Sequence, residues 1–184
     1  MSDRLLTERL CLRPLSLDDA APFAALMTPA IARWTGSWSG LESTQAVAAR
    51  IARCLEEEGL GLRVERAVEL RPSGPLIGWI GVKRAEAPDR ASIGYWIGEA
   101  FFGQGYTREA ARAILDEGFA TLDVDVIEGV AQLGNTASIA ILKGLGMRHL
   151  GERAEFASAR GTADPCAWYQ IERRAHAARL QGGA

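Results

Sequence analysis

The residues whose spacing carries the most chemistry are Glu99-Ala100-Phe101-Phe102-Gly103-Gln104-Gly105-Tyr106-Thr107-Arg108-Glu109-Ala110. An apolar run ends, two glycines turn the chain, and an amphipathic helical pattern begins. The first backbone N–H groups of a helix lack partners inside the helix. They point outward, and the helix dipole adds a partial positive charge to them. Such a place suits an anion, above all a phosphate. Gly103 and Gly105 let the backbone approach a ligand closely and take a positive φ where the turn needs one. Thr107 can cap the helix or offer its hydroxyl to the phosphate. The alternative is a strand-to-helix turn without a ligand. A dinucleotide site fits less well, since it needs GxGxxG early in a strand–helix–strand unit and an acid about 20 residues on. The Lys-Ser/Thr pair of a nucleoside-triphosphate loop is absent.

A second pair stands further on. Asn135 and Ser138 open a helical pattern and, three residues apart, share one helix face. Helix capping by Asn135 would account for them without chemistry. The other reactive residue types form no constellation. Cys11, Cys54 and Cys166 are far apart, with no CxxC or Cys/His cluster, so neither a metal site nor a disulfide framework is expected. His149 and His176 have no partner pattern for a triad or a metal. No cysteine has a paired histidine to activate it, which disfavours a covalent acyl-enzyme.

The elements that position these residues follow from periodicity and breakers. Arg9 to Leu15 alternates as a half-buried strand, ended by Pro14. Ser16 caps a helix to about Met27, and Pro29 marks its exit. Ile31 to Gly40, with Trp34 and Trp38, reads as a loop. Ser43 or Thr44 caps a second helix that Gly59 and Gly61 end. Three strands then form a meander, Leu62 to Leu70, Leu76 to Lys83 and Ala91 to Gly98. Thr107 to Leu122 is helical, Val124 to Leu133 a strand, and Asn135 to Leu145 a helix with Gly146 just past its end. Strands near Arg148 to Ser158 and Cys166 to Ile171 follow, then a short frayed helix from Arg173 to Leu180. Hairpins in the middle and a later strand–helix–strand crossover make this an α+β fold with a mixed sheet.

With 184 residues, 48% of them hydrophobic, one domain can bury a sufficient core without staples. The net charge of −2 argues against a nucleic-acid partner, whose footprint is a basic patch. No long apolar stretch suggests a leader or a membrane partner, so a reducing cytoplasm is the expected location.

Four segments together resemble the GNAT acetyltransferase superfamily, most closely its ribosomal-protein N-terminal (Rim-type) subgroup. They are Thr7 to Pro14, Ile93 to Ile97, Gly103 to Ala110, and Asn135 to Ser138 continuing to Leu145-Gly146-Met147. The resemblance covers residues 7–172, an N-acetyltransferase domain, and leaves 173–184 as a C-terminal tail. It implies a single domain with a mixed, splayed sheet flanked by helices. Acetyl-CoA would lie in a V-shaped opening between two strands, and no metal would be used. Gly103, Gln104, Gly105, Tyr106 and Thr107 would hold the pyrophosphate. Ile97 and Gly98 would offer free backbone groups to pantetheine and the thioester oxygen. Asn135 would bind pantetheine, Ser138 would meet the sulfur as hydrogen-bond donor or acid, and Lys143 would contact phosphate.

The sequence departs from the family pattern at four positions. Phe102 replaces a polar or basic residue, Thr107 a small one, Ser92 a frequent glutamate, and Gly144 a frequent lysine. Glu69, Glu99 and Tyr95 remain as candidates for the base that deprotonates the amine. The acceptor pocket would use the two early helices, Trp34, Trp38 and Tyr95, with Trp79 expected in the core. The implied reaction is direct acetyl transfer in a ternary complex, by a monomer or homodimer. The acceptor would be a peptide N-terminus or a small-molecule amine. A CoA-binding module without turnover is the competing reading.

Overall fold

A computed structural model describes residues 4–38, 43–157 and 161–182 of the chain. A two-residue strand β1 (Leu5–Leu6) precedes β2 (Leu10–Pro14). Ser16 then starts a 3-10 turn through a capping box with Asp19, leading into α1 (Ala20–Leu26). Pro29 does more than end that helix. It takes the first position of a short helix α2 (Pro29–Ala32), where its missing N–H costs nothing. The expected loop is therefore helical at its start, and its last two residues, 39 and 40, lie outside the described residues. Ser43 caps α3 (Thr44–Gly59) through the Ala46 N–H.

The meander is β3 (Arg63–Leu70), β4 (Leu76–Arg84) and β5 (Arg90–Ile97). Next come α4 (Tyr106–Thr121), β6 (Val126–Gln132) and α5 (Thr136–Gly144). The chain closes with β7 (Arg148–Ala157), β8 (Thr162–Glu172) and α6 (Arg173–Gly182). β8 starts earlier than expected because Pro165 sits inside it. Proline lacks the N–H of a ladder, and the pairing of β8 with β6 begins only at Cys166. The residues expected as a tail form α6, which Arg173 anchors. Its guanidinium donates to the Phe119, Leu122 and Val124 carbonyls at the end of α4, where a cation is favoured.

The strands form one mixed sheet in the order β1-β2-β3-β4-β5-β6-β8-β7. Among the described residues only β5 and β6 are parallel, and they pair at three positions, from Arg90↔Val126 to Ser92↔Glu128. Beyond Ser92 the two strands part, and this is the splay. Alternation along β5 divides the molecule into two faces. Ile93 and Ile97 join α4 and α5 in the larger core, with Tyr95 packed against it, while Trp96 joins α1, α3, Trp38 and Trp79 in a second core. A one-residue slip of β5 would exchange the two sets. Among the described residues, no helix is long and apolar enough to cross a membrane.

Candidate active site

The Gly-rich turn has the geometry expected of an anion cradle. Gly103 and Gly105 have φ of +73° and +81°, values that favour glycine. Gly105 is the N-cap of α4 and provides no side-chain cap. Among the described residues, the N–H groups of Gly103 to Thr107 have no acceptor, as a waiting anion site requires. Gln104 contributes only that backbone group. Its amide reaches the Ala100 carbonyl, and its own carbonyl accepts from Arg9.

The turn is braced from outside by the N-terminal segment. Arg9 donates to Glu109 at 2.7 Å and to the Gln104 carbonyl at 2.9 Å, and its guanidinium lies 4.6 Å from the Tyr106 ring centroid. Thr7 and the Arg9 N–H also donate to Glu109. Burial pushes the Glu109 carboxyl up, but these hydrogen bonds outweigh it and hold the group below its ordinary range.

The backbone groups free in the opening are not quite those expected. Gly98 donates to the Ile77 carbonyl at 2.8 Å and accepts from the Phe101 N–H at 2.9 Å, so both its groups are occupied. The ladder with β4 is regular, and alternation then turns the groups of Ile93, Tyr95 and Ile97 away from β4, toward the splay. Ile97 thus turns its backbone groups toward the opening, while those of Gly98 are occupied.

At the mouth of the splay, α5 meets β5. Asn135 caps α5 by accepting the Ser138 N–H at 3.1 Å, and its amide nitrogen remains to donate. The Ser138 Oγ lies 2.9 Å from the Tyr95 hydroxyl. Burial pushes the Tyr95 phenol up to about 12, with the Ser138 hydrogen bond opposing it in part. Near neutral pH Tyr95 is therefore a neutral donor and unsuited to act as the base. The other two base candidates lie elsewhere: Glu69 is paired with Arg13 at 2.7 Å, and Glu99 is bonded to Thr28.

A cavity of about 1000 Å³ runs through the opening from one face of the sheet to the other. Gly103, Gly105, Tyr95, Asn135 and Ser138 line it on the α4/α5 face, and Trp34 lines its other side. Trp38 is 1% exposed and packs edge-on against Phe23 and Trp96. It is a core residue that forms part of the cavity wall, not a mobile loop side chain. Lys143 is exposed in the last turn of α5 and does not line the cavity. The cation beside the turn is Arg108, which passes close over Gly144 (3.4 Å from where a Cβ would stand). A longer residue at 144 would push it aside.

The α1/α3 face holds functional-looking residues that sequence reasoning missed. Glu65, 2% exposed, accepts from Arg63 at 2.5 Å and from the Trp79 indole at 2.8 Å. Arg63 also pairs with Glu57, and Arg50 stands nearby. The signal was charged residues at buried positions of β3, which its apolar neighbours Val64 and Val68 disguise. Trp79 is in the core, as expected, but it also walls the cavity. Cys54 is not a nucleophile here, because burial pushes its thiol up to about 11. Among the described residues, no group of side chains is arranged to hold a metal.

Comparison with known proteins agrees with this geometry. Residues 9–148 match the acetyltransferase (GNAT) domain. An uncharacterized N-acetyltransferase, p20, of Bacillus licheniformis is 26% identical over 95% of this chain and 99% of its own. RimJ of Mycobacterium smegmatis, solved with CoA-disulfide, superposes with a TM-score of 0.79 at 21% identity, covering 95% of this chain and 89% of its own. The ribosomal-protein-S5-alanine acetyltransferase of Vibrio fischeri superposes with a TM-score of 0.80 at 18% identity, covering 92% and 96%. A splayed mixed sheet, an anion cradle at a helix start and a matched domain over most of the chain lead to one assignment: the chain belongs to the GNAT family and is an acetyl-CoA-dependent N-acetyltransferase.

Proposed function

We propose that the enzyme transfers acetyl directly to a primary amine in a ternary complex, with a peptide α-amino group as the first acceptor class to test. The observation that carries this reading is the Tyr95–Ser138 pair, set in the splay between the cradle and the acceptor end of the cavity. The N–H groups of Gly103 to Thr107 and the Arg108 guanidinium bind the pyrophosphate. The backbone of Ile93, Tyr95 and Ile97 and the Asn135 amide orient the pantetheine arm. The acceptor enters from the α1/α3 face, so amine and thioester meet across β5.

Relative acidity assigns the role of Ser138. A thiol ionises at about 8.5 in reference peptides, well below Tyr95 at about 12. A leaving thiolate cannot take a proton outright from so weak an acid. Tyr95 and Ser138 instead donate hydrogen bonds in series, which stabilise the charge that develops on sulfur. The amine's proton leaves through water, since the buried carboxylate of the opening, Glu65, is already bonded to Arg63 and the Trp79 indole. The peptide acceptor is supported by the neighbour named for ribosomal-protein S5 alanine.

Initial rates with acetyl-CoA and a panel of peptides and small amines test this. Intersecting double-reciprocal lines are expected. Parallel lines would mean an acyl-enzyme and overturn direct transfer. Tight CoA binding with no amine-dependent CoA release would establish a binding module instead.

A further inference from the structure

The acceptor end of the cavity contains a buried cation that the protein itself compensates only in part. Arg50 on α3 is 7% exposed and lines the cavity. Its Nε has no acceptor among the described residues. Its carboxylate partner, Glu65, is 3.9 Å away and already bonded to Arg63 and Trp79. Glu57, the other carboxylate of the cluster, is shared by Arg63 and Lys83. Three cations therefore share two carboxylates, and Arg53 on the same wall adds a fourth positive charge. The carboxylates of Glu155 and Asp164 stand on the opposite arm of the sheet, on β7 and β8.

The aromatic surroundings sharpen the deficit. The Arg50 guanidinium lies 4.5 Å from the Trp38 ring centroid and 5.4 Å from that of Trp79. Aromatic faces attract a cation but leave the N–H edge of its fork unused. The indole N–H groups of Trp38 and Trp96, in the same wall, also lack acceptors. A guanidinium held out of water without an anion is costly, and buried donors in native proteins are rarely left unmade.

We propose that the acceptor carries a carboxylate near its amine, and that the Arg50 guanidinium binds it. This rests on the acetyl-transfer reading above. The carboxylate has two sources, the side chain of an acidic first residue in a peptide or the α-carboxylate of a free amino acid. The amine then lies between this anchor and the Tyr95–Ser138 pair, at the opposite faces of β5.

Matched acceptors decide the matter. Peptides beginning Asp-Ala-Ala are compared with Asn-Ala-Ala, and free amino acids with their α-carboxamides. The wild-type enzyme is expected to prefer one carboxylate series by about tenfold or more in kcat/KM, the strength of a hydrogen bond to charge. The pair of acceptors that shows the preference identifies the source. Arg50→Met is expected to collapse it to near parity while CoA affinity stays constant. Because Arg50 contributes so little pairing, this variant is expected to fold. Arg50→Lys, which keeps the charge but loses the fork, is the second variant. No preference in wild type, or a preference that survives Arg50→Met, overturns the proposal. If no amine is turned over, calorimetry on the CoA-saturated protein separates the two claims. Carboxylate binding that Arg50→Met removes would keep the anchor and discard the transfer reading, and absence of carboxylate binding would discard both.

Discussion

On the α4/α5 face of β5, the groups proposed to hold the donor are mostly backbone: the N–H groups of Gly103 to Thr107 and the edge of β5 itself. On the α1/α3 face, the groups proposed to meet the acceptor are side chains from α3, β3, β4 and β5, bound into a charged and aromatic cluster. The donor side depends on chain conformation, and a few glycines specify it. The acceptor side depends on which side chains happen to converge, so it can change without disturbing the cradle. One strand thus separates a region set by backbone conformation from one set by converging side chains.

The comparison can be broken from either side. The largest effect is expected at Glu65→Gln, which leaves Arg63 and Arg50 short of charge. Breaking such a buried pair lowers unfolding stability by about 3 kcal/mol, while CoA affinity in the folded protein stays the same. Denaturant titration and calorimetry read the two quantities, and lost CoA affinity at full stability would mean the faces are not separable. Gly105→Val comes next. A β-branched residue is an outlier at φ +81°, with strain of about 1–3 kcal/mol. CoA affinity should fall by up to about 100-fold. Unchanged affinity in the folded variant would remove the pyrophosphate assignment.

Smaller effects refine the chemistry between the faces. Ser138→Ala is expected to lower kcat by about tenfold, the weight of one hydrogen bond to charge, with CoA affinity preserved. Tyr95→Phe should act in the same direction, and the double variant should cost less than the sum, since the hydroxyls work in series. A full wild-type rate in Ser138→Ala would take the pair out of the reaction. The last effect, confined to alkaline conditions, is on stability at high pH. The Tyr95 phenol is raised from about 10 in the unfolded chain to about 12 when folded. The folded state holds that proton more tightly, so its contribution is complete below pH 10 and is lost as pH rises through 12. Tyr95→Phe should flatten that limb of the unfolding curve; an unchanged limb would contradict the burial of the phenol.

Legibility in the sequence followed the same division. The cradle was readable because two glycines before a helical period state a backbone conformation directly. The Ser16 and Ser43 caps and the three-strand meander were readable for similar local reasons. Asn135 and Ser138 were readable as a pair, but not the contact of Ser138 with Tyr95, 43 residues away. Gly98 was misread because its position in the ladder depends on the register with β4. Helix phase turns Lys143 outward, and the empty side of Gly144 leaves room for Arg108 beside the turn. Arg50 left no local signal, and the one at Glu65, a charge at a buried position of β3, is disguised by its apolar neighbours. The two residues come from different elements, and only the packing of α3 on the sheet brings them together.

Arg9 holds the cradle through Glu109, a residue 100 positions later in the chain. A contact of that span forms late, because closing the intervening loop must precede its gain. A nascent chain therefore carries its glycines and the start of α4 well before the turn is fixed in shape. On the proposed reading, competence to bind CoA requires the N-terminal segment and the start of α4 to have met. Bound cofactor, in return, adds its binding free energy to the fully assembled chain alone, so cellular CoA supply and the yield of folded enzyme are thermodynamically linked.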